Sequence, residues 1–242
     1  MENIHAIAAS NFNKLKASDY PGRGIVLGLT PSGKEAVQIY WTNGRSESSK
    51  NRVLVKQDGC VKAMLFDPAK KMEREDLRTY NGAMRVGNAY IVSNGRQTDT
   101  VAEYIAKGDA FENAMYQWSF EDDPMCTPRI TGLTAVDPKT CAFEFKLSVI
   151  KAVDQNPALL SHQSFRYKDC VPGYGWCVHT YNLMETCFPF GGEPYWVPVA
   201  EDIGENAETY WNALSPDKRV GLYVRHISLA TGNAVDTIRN QL

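Results

Sequence analysis

The feature that most restricts this chain is a succession of short strand-like runs, each closed by a turn signal and most followed at once by another run. Residues 24–30 and 36–41 are joined through Pro31-Ser32-Gly33, which reads as a hairpin, and residues 52–57 and 61–66 are separated by Gln57-Asp58-Gly59. Residues 89–93, 140–150, 176–181 and 219–229, and a run entered at Thr127-Pro128-Arg129-Ile130, have the same character. Strands that follow one another by hairpins, without a helix between each pair, specify antiparallel sheets, and many alternating strands suggest two sheets packed face to face. The expected fold is therefore α+β, with two mostly antiparallel sheets and helices on the outside.

Helical periodicity is confined to a few segments. Ile4, Ile7, Ala8, Phe12 and Leu15 recur at helical spacing within residues 2–17, and Pro21 with its neighbouring glycines ends that pattern. Thr98 stands as an N-cap before Val101, Tyr104 and Ile105 and, past Gly108, Phe111, Met115 and Trp118. Glu121, Asp122 and Asp123 would then close that helix against its macrodipole, a placement that costs stability and so hints at function. Helices near 206–214 and 234–240 complete the chain, and the charged run 70–76 reads as a solvated turn or helix face. No linker or repeat divides the 242 residues, so 1–242 is read as one domain, with 1–19 an N-terminal helical extension.

A formal net charge of −2 supplies no overall field for nucleic acid or an anionic membrane, so anion recognition must be local. No apolar run approaches the roughly 20 residues that span a bilayer, and the first residues lack a basic patch followed by an apolar core, which points to a soluble, cytoplasmic protein. The six cysteines form no Cys-x-x-Cys, and His5, His162, His179 and His226 are scattered, so free thiols and no metal are expected. Cys177 and His179 would share a strand face, as alternation alone provides.

The local anion equipment is concentrated in Gly44-Arg45-Ser46-Glu47-Ser48-Ser49-Lys50-Asn51-Arg52. Arg45 and Arg52 offer planar charged forks suited to phosphate, and Ser46, Ser48, Ser49 and Asn51 add neutral donors. The spacing matches neither a P-loop nor a dinucleotide turn. Taken alone, the segment also fits a polar hairpin loop with solvated charges.

Five polar islands in order, Tyr20-Pro-Gly-Arg23, Gly44-Arg-Ser-x-x-Ser-x-Asn-Arg52, Thr79-Tyr-Asn81 with Arg85, Ser93-Asn-Gly-x-Gln-Thr-Asp-Thr100, and Glu121 followed by Thr127-Pro-Arg-Ile130, resemble the archaeal-type IMP cyclohydrolases and their bacterial relatives. The resemblance covers roughly residues 20–230. It implies a four-layer α-β-β-α sandwich like that of the N-terminal-nucleophile hydrolases. It further implies closure of 5-formamidoimidazole-4-carboxamide ribonucleotide to IMP in purine synthesis, without a cofactor, in a homo-oligomer such as a tetramer.

By motif correspondence, Arg52 is the charged donor near the reacting carbonyl, Tyr80 donates or relays a proton, and Glu121 accepts or orients one. Arg23, Arg45 and Ser46 would hold the 5′-phosphate, with Thr98 or Arg129 beside them, while Asn51, Asn81 and Asn94 complete the substrate-binding set. Tyr80 could instead cap a strand, Arg129 could pair with Asp122 or Asp123, and Asn94-Gly95 could be only a turn. The chain departs from the archaeal pattern in its first helix, in Gln97 where histidine is common, and in a longer segment over 160–200. Two other functions remain compatible with the sequence: a purine nucleotide-binding or sensory protein without turnover, and an amidohydrolase of the N-terminal-nucleophile type, although Met1 opens a helix and offers no such nucleophile.

Overall fold

In the computed structural model, residues 3–70, 77–184 and 187–241 are described. Two wholly antiparallel sheets form the body. The first has β1 (Gly24–Leu29), β2 (Glu35–Asn43), β10 (Tyr174–His179), β11 (Tyr195–Pro198), β12 (Arg219–Ser228) and β13 (Ala234–Asn240), in the order β11-β10-β1-β2-β12-β13. The second runs β3 (Arg52–Gln57), β4 (Cys60–Leu65), β5 (Tyr80–Val86), β6 (Ala89–Ser93), β7 (Arg129–Asp137), β8 (Ala142–Val153), β9 (Asn156–Tyr167) in sequence order. That meander is what consecutive hairpins produce.

Both sheets are apolar on each face, so four layers are needed to bury them. Between the sheets lie Ile25, Leu27, Tyr40 and Tyr223 from the first and Leu54, Val92, Phe145 and Leu147 from the second. On the outer face of the first sheet, α1 (Ile4–Ala17) and α5 (Ile203–Ala213) bring Phe12, Leu15, Tyr210 and Trp211 against Val26, Ile39 and Trp41. On the outer face of the second, α3 (Gln97–Ala106) and α4 (Phe111–Met115) bring Val101, Phe111 and Met115 against Ile91, Leu133 and Ile150. Each such side chain contributes about 1.5–3 kcal/mol through burial.

The first helix is capped by Asn3, whose side chain accepts the amide of His5 at 3.1 Å, and its buried Ala8, Phe12 and Leu15 are the periodic residues of the sequence. Four expectations are corrected. Residues 234–240 form an edge strand, not a helix: β-branched Val235, Thr237 and Ile238 suit extended backbone, and β12 supplies a ladder from Gly221↔Asn240 to Ile227↔Ala234. The helix after Asn94 is two helices, because Gly108 takes φ +78° and breaks the ladder. Its cap is Arg96 rather than Thr98, which lies inside the first turn. Glu121 to Asp123 consequently lie beyond the end of α4 in a loop, so the macrodipole does not explain them. Strands β5, β9 and β11 were not anticipated, and most of the charged run 70–76 lies outside the described residues.

Candidate active site

Alternate connections of an antiparallel meander emerge at the same end of the sheet, and this places the polar islands together. The segments preceding β1, β3, β5 and β7, and those following β2, β6 and β10, all open at one end of the sandwich. There they enclose a cleft of about 440 Å³, lined among others by Arg23, Arg45, Ser46, Arg52, Arg78 and Glu121. That size is in the range of small-ligand sites.

Each arginine is aimed by its local backbone. Arg23 follows Gly22, whose φ of +75° and close approach to Thr180 and Tyr181 leave no room for a side chain. The Arg23 amide donates to Thr180 Oγ1 at 3.1 Å, and its carbonyl accepts the Thr180 amide at 2.8 Å. Between β2 and β3 the basic segment winds into a single turn, α2 (Glu47–Lys50), closed by a reciprocal capping box of Ser46 and Ser49. Gly44 permits this, since a Cβ there would meet the Ser49 and Lys50 backbone at 2.8 Å. Arg52, only 2% exposed, donates from Nε to Ser49 O at 2.8 Å and from Nη2 to Asn43 O at 3.3 Å. Arg45 lies over the Tyr20 ring at 5.0 Å, and Tyr20 stacks on Tyr181 at 5.6 Å.

Glu121 is 2% exposed, 3.8 Å from Arg23 Nη2, and accepts from Asn94 Nδ2 at 3.4 Å. Burial pushes its carboxyl above the ordinary carboxylate range, with Arg23, Arg129 and Arg52 pulling the other way. Burial acts against the charge of Arg23 too, but Glu121 and the neighbouring phenols outweigh it and hold that guanidinium firmly protonated. Arg52 is moved down by burial and then by Arg23, and Arg78 by burial and then by Arg52 and Arg23. The cleft therefore concentrates cations that repel one another, and Arg23 Nε and Arg52 Nη1 are buried without a hydrogen-bond partner. An anionic ligand with several acceptors would satisfy both conditions.

The other predicted residues are distributed as follows. Tyr80 opens β5, 5% exposed, within electrostatic reach of Arg23, Arg52 and Arg129, with its hydroxyl 2.8 Å from that of Tyr40. Asn94 anchors the loop to β7 by donating to Pro128 O at 2.9 Å and accepting from the Ile130 amide at 2.8 Å. Arg129 lies over Trp118 and donates to Ser119 O at 3.0 Å and to Gln97 Oε1 at 3.2 Å; Gln97 thus steadies this arginine. None of Tyr80, Asn94 and Arg129 is among the residues that line the cleft, and Tyr80 lines, together with Asn81, a separate surface depression; the remaining three are engaged locally. Thr98 is fully buried and bonded to Ser93 Oγ and Gly95 O, Asn51 clips Asp67, and Asn81 donates to Asp99 at 2.6 Å in that depression.

Sequence reading overlooked Arg78, although it sits beside Thr79-Tyr80-Asn81; its Nη1 donates to Ser48 Oγ at 2.7 Å. It gave no site role to Asp123 and Thr127, although it singled out both, and it overlooked Tyr181; the three form a chain at the rim, in which Thr127 Oγ1 lies 2.6 Å from Asp123 Oδ2 and 2.7 Å from the Tyr181 hydroxyl. His179 donates from Nδ1 to the Tyr181 carbonyl, because a carbonyl can only accept, and burial lowers its pKa to about 4. All six cysteines are free, and among the described residues no group of His, Cys, Asp or Glu could hold a metal. Among the same residues no helix is long and apolar enough to cross a membrane.

With this geometry in place, comparison with known proteins becomes informative. The family described as "IMP cyclohydrolase-like protein" matches residues 20–233. The chain belongs to that family. The match begins at Tyr20, which leaves α1 outside it. Among its relatives are proteins named IMP cyclohydrolase from Methanococcus maripaludis strain C7, 34% identical over 122 residues, and from Methanocaldococcus jannaschii, 32% identical over 124 residues. The aligned segments cover 49% and 50% of this chain and 59% of each relative. A third of that name, from Haloquadratum walsbyi, is 25% identical over 146 residues, covering 59% of this chain and 70% of the relative.

Proposed function

We propose that the cleft binds a purine-precursor ribonucleotide and closes 5-formamidoimidazole-4-carboxamide ribonucleotide to IMP with loss of water. The observation that carries this is the meeting of Arg52 with the Arg23–Glu121 pair, from three distant segments, in one cleft of nucleotide-compatible size. The reaction is intramolecular. The carboxamide nitrogen attacks the formyl carbon, the nitrogen gives up a proton, and the formyl oxygen gains charge and then a proton. The resulting hydroxyl leaves as water while the second nitrogen loses its proton and the ring C=N bond forms.

Arg52, with an unpartnered Nη1, faces the oxygen on which charge develops. Tyr80 supplies the proton to that oxygen, and Glu121, whose carboxyl burial holds above the ordinary carboxylate range, takes the proton from nitrogen. Arg23, Arg45 and Ser46 hold the phosphate, with Arg78 joining them, and Asn94 and Arg129 support Glu121. Holding the two reacting groups as a near-attack pair supplies several kcal/mol of the barrier reduction. Incubating the purified chain with the formylated ribonucleotide and following absorbance tests the reading. Ring closure no faster than the spontaneous reaction would remove it, and IMP binding without turnover would identify a nucleotide-binding protein instead.

The layer order of helices and antiparallel sheets supports kinship with the N-terminal-nucleophile hydrolase sandwich. The free backbone of edge strand β9 supports a homo-oligomer, which light scattering would measure. Six free thiols support residence in a reducing cytoplasm within purine biosynthesis.

A further inference from the structure

Tyr40 lies at the middle of the first sheet, on β2, and its side chain crosses the inter-sheet layer to the phenol of Tyr80 at the start of β5. The two hydroxyl oxygens are 2.8 Å apart, and both residues are buried, Tyr40 completely. Each hydroxyl has one proton, and only one proton can occupy the bond between them. Among the described residues, the Tyr40 hydroxyl has no other hydrogen-bond partner. If Tyr80 were the donor, the proton of Tyr40 would be stranded in the core, a loss that buried polar groups are normally built to avoid.

We infer that Tyr40 donates to Tyr80, which fixes the Tyr80 oxygen as acceptor and leaves the Tyr80 proton as the one available for the substrate oxygen. Tyr40 is thus a positioning residue: it touches no substrate and acts through the Tyr80 hydroxyl, on the proposed ring-closing reaction. Burial and then the Tyr80 phenol hold the Tyr40 pKa well above the ordinary tyrosine range, so Tyr40 keeps its proton throughout the working pH range and remains a donor.

A double-mutant cycle on the full chain tests the inference. Tyr40→Phe should lower kcat by about 2–12-fold, corresponding to one neutral hydrogen bond, with KM and IMP affinity within about twofold of wild type. In the Tyr80→Phe background the same substitution should change kcat by less than twofold, because the hydroxyl through which Tyr40 acts is gone. Equal kcat losses in both backgrounds would overturn the inference, since a packing role does not depend on the Tyr80 hydroxyl.

The polarity of the bond is read separately by thermal unfolding, which needs no turnover. Tyr80→Phe strands the Tyr40 proton and should lower Tm more than Tyr40→Phe, which leaves Tyr80 short only of a donor. The reverse order would overturn the assigned direction. If wild type accelerates no ring closure, the proposed activity fails. The unfolding comparison still decides the hydrogen bond.

Discussion

Replacing Arg23 with methionine removes the cation paired with Glu121 while keeping most of the side chain's length. In the intact cleft these charges are 3.8 Å apart, with side chains 10% and 2% exposed. At an effective dielectric constant of about 20, opposite unit charges at this separation attract by about 4 kcal/mol. Arg129 and Arg52 remain and cushion the change, but a third of that attraction already corresponds to about one pH unit. Burial holds the Glu121 carboxyl above its ordinary range and Arg23 partly restrains it, so losing Arg23 moves it further up. The acid limb of kcat/KM, which reports the free protein, should therefore rise by about one pH unit or more.

The same substitution alters stability in a defined direction. Glu121 binds its proton more tightly folded than unfolded, so its contribution is fully present below the unfolded carboxyl's pKa and is lost as pH rises through the folded one. Arg23→Met postpones that loss to higher pH. Urea midpoints measured against pH should show the displacement, and Glu121→Gln should lack the dependence altogether. An acid limb within about 0.3 pH of wild type would refute the electrostatic account of this pair.

Arg52→Met should weaken IMP binding by about 10–100-fold in titration calorimetry while changing stability little, because two hydrogen bonds are lost as a buried, repelled charge is relieved. Wild type should lose roughly 3 kcal/mol of stability as pH falls from 6.5 to about 4, since unfolding lets His179 take up a proton it refuses when buried; His179→Phe, packed against Phe190 and Tyr195, should abolish that component of the urea pH profile. Leu15→Ala should cost about 2–5 kcal/mol by opening a cavity under α1, lowering Tm with KM unchanged in the fraction that stays folded.

Much of this architecture was legible where local and tertiary preferences agree. Ile4, Phe12 and Leu15 mark a helix whose apolar stripe has a sheet to cover, and Pro31-Ser32-Gly33 marks a hairpin whose strands are both buried. The last segment misled because Ala234, Ile238 and their neighbours are short enough to suit either period, and only the free edge of β12 decides for a strand. For β9, residues 156–167 are largely exposed, and the ladder from β8 rather than side-chain burial makes them a strand.

Charge and motif order pointed to Arg23, Arg52 and Glu121, which line one cleft, whereas side chains engaged locally could not be told apart from them in sequence. Thr98 and Asn51 have the chemistry to bind an anion, but nearby backbone has already engaged it. Tyr40 was invisible for the opposite reason. In sequence it is one more aromatic on a buried strand, and its partner lies forty positions away across the sandwich.

Arg23 stands just ahead of the first strand of one sheet, and Arg52 is the first residue of a strand in the other. Neither sheet owns the pair, so a ligand gripped by both guanidinium groups would act as a strut across the seam. Occupancy should then slow hydrogen exchange in β1 and β3 together, well away from the molecule they hold.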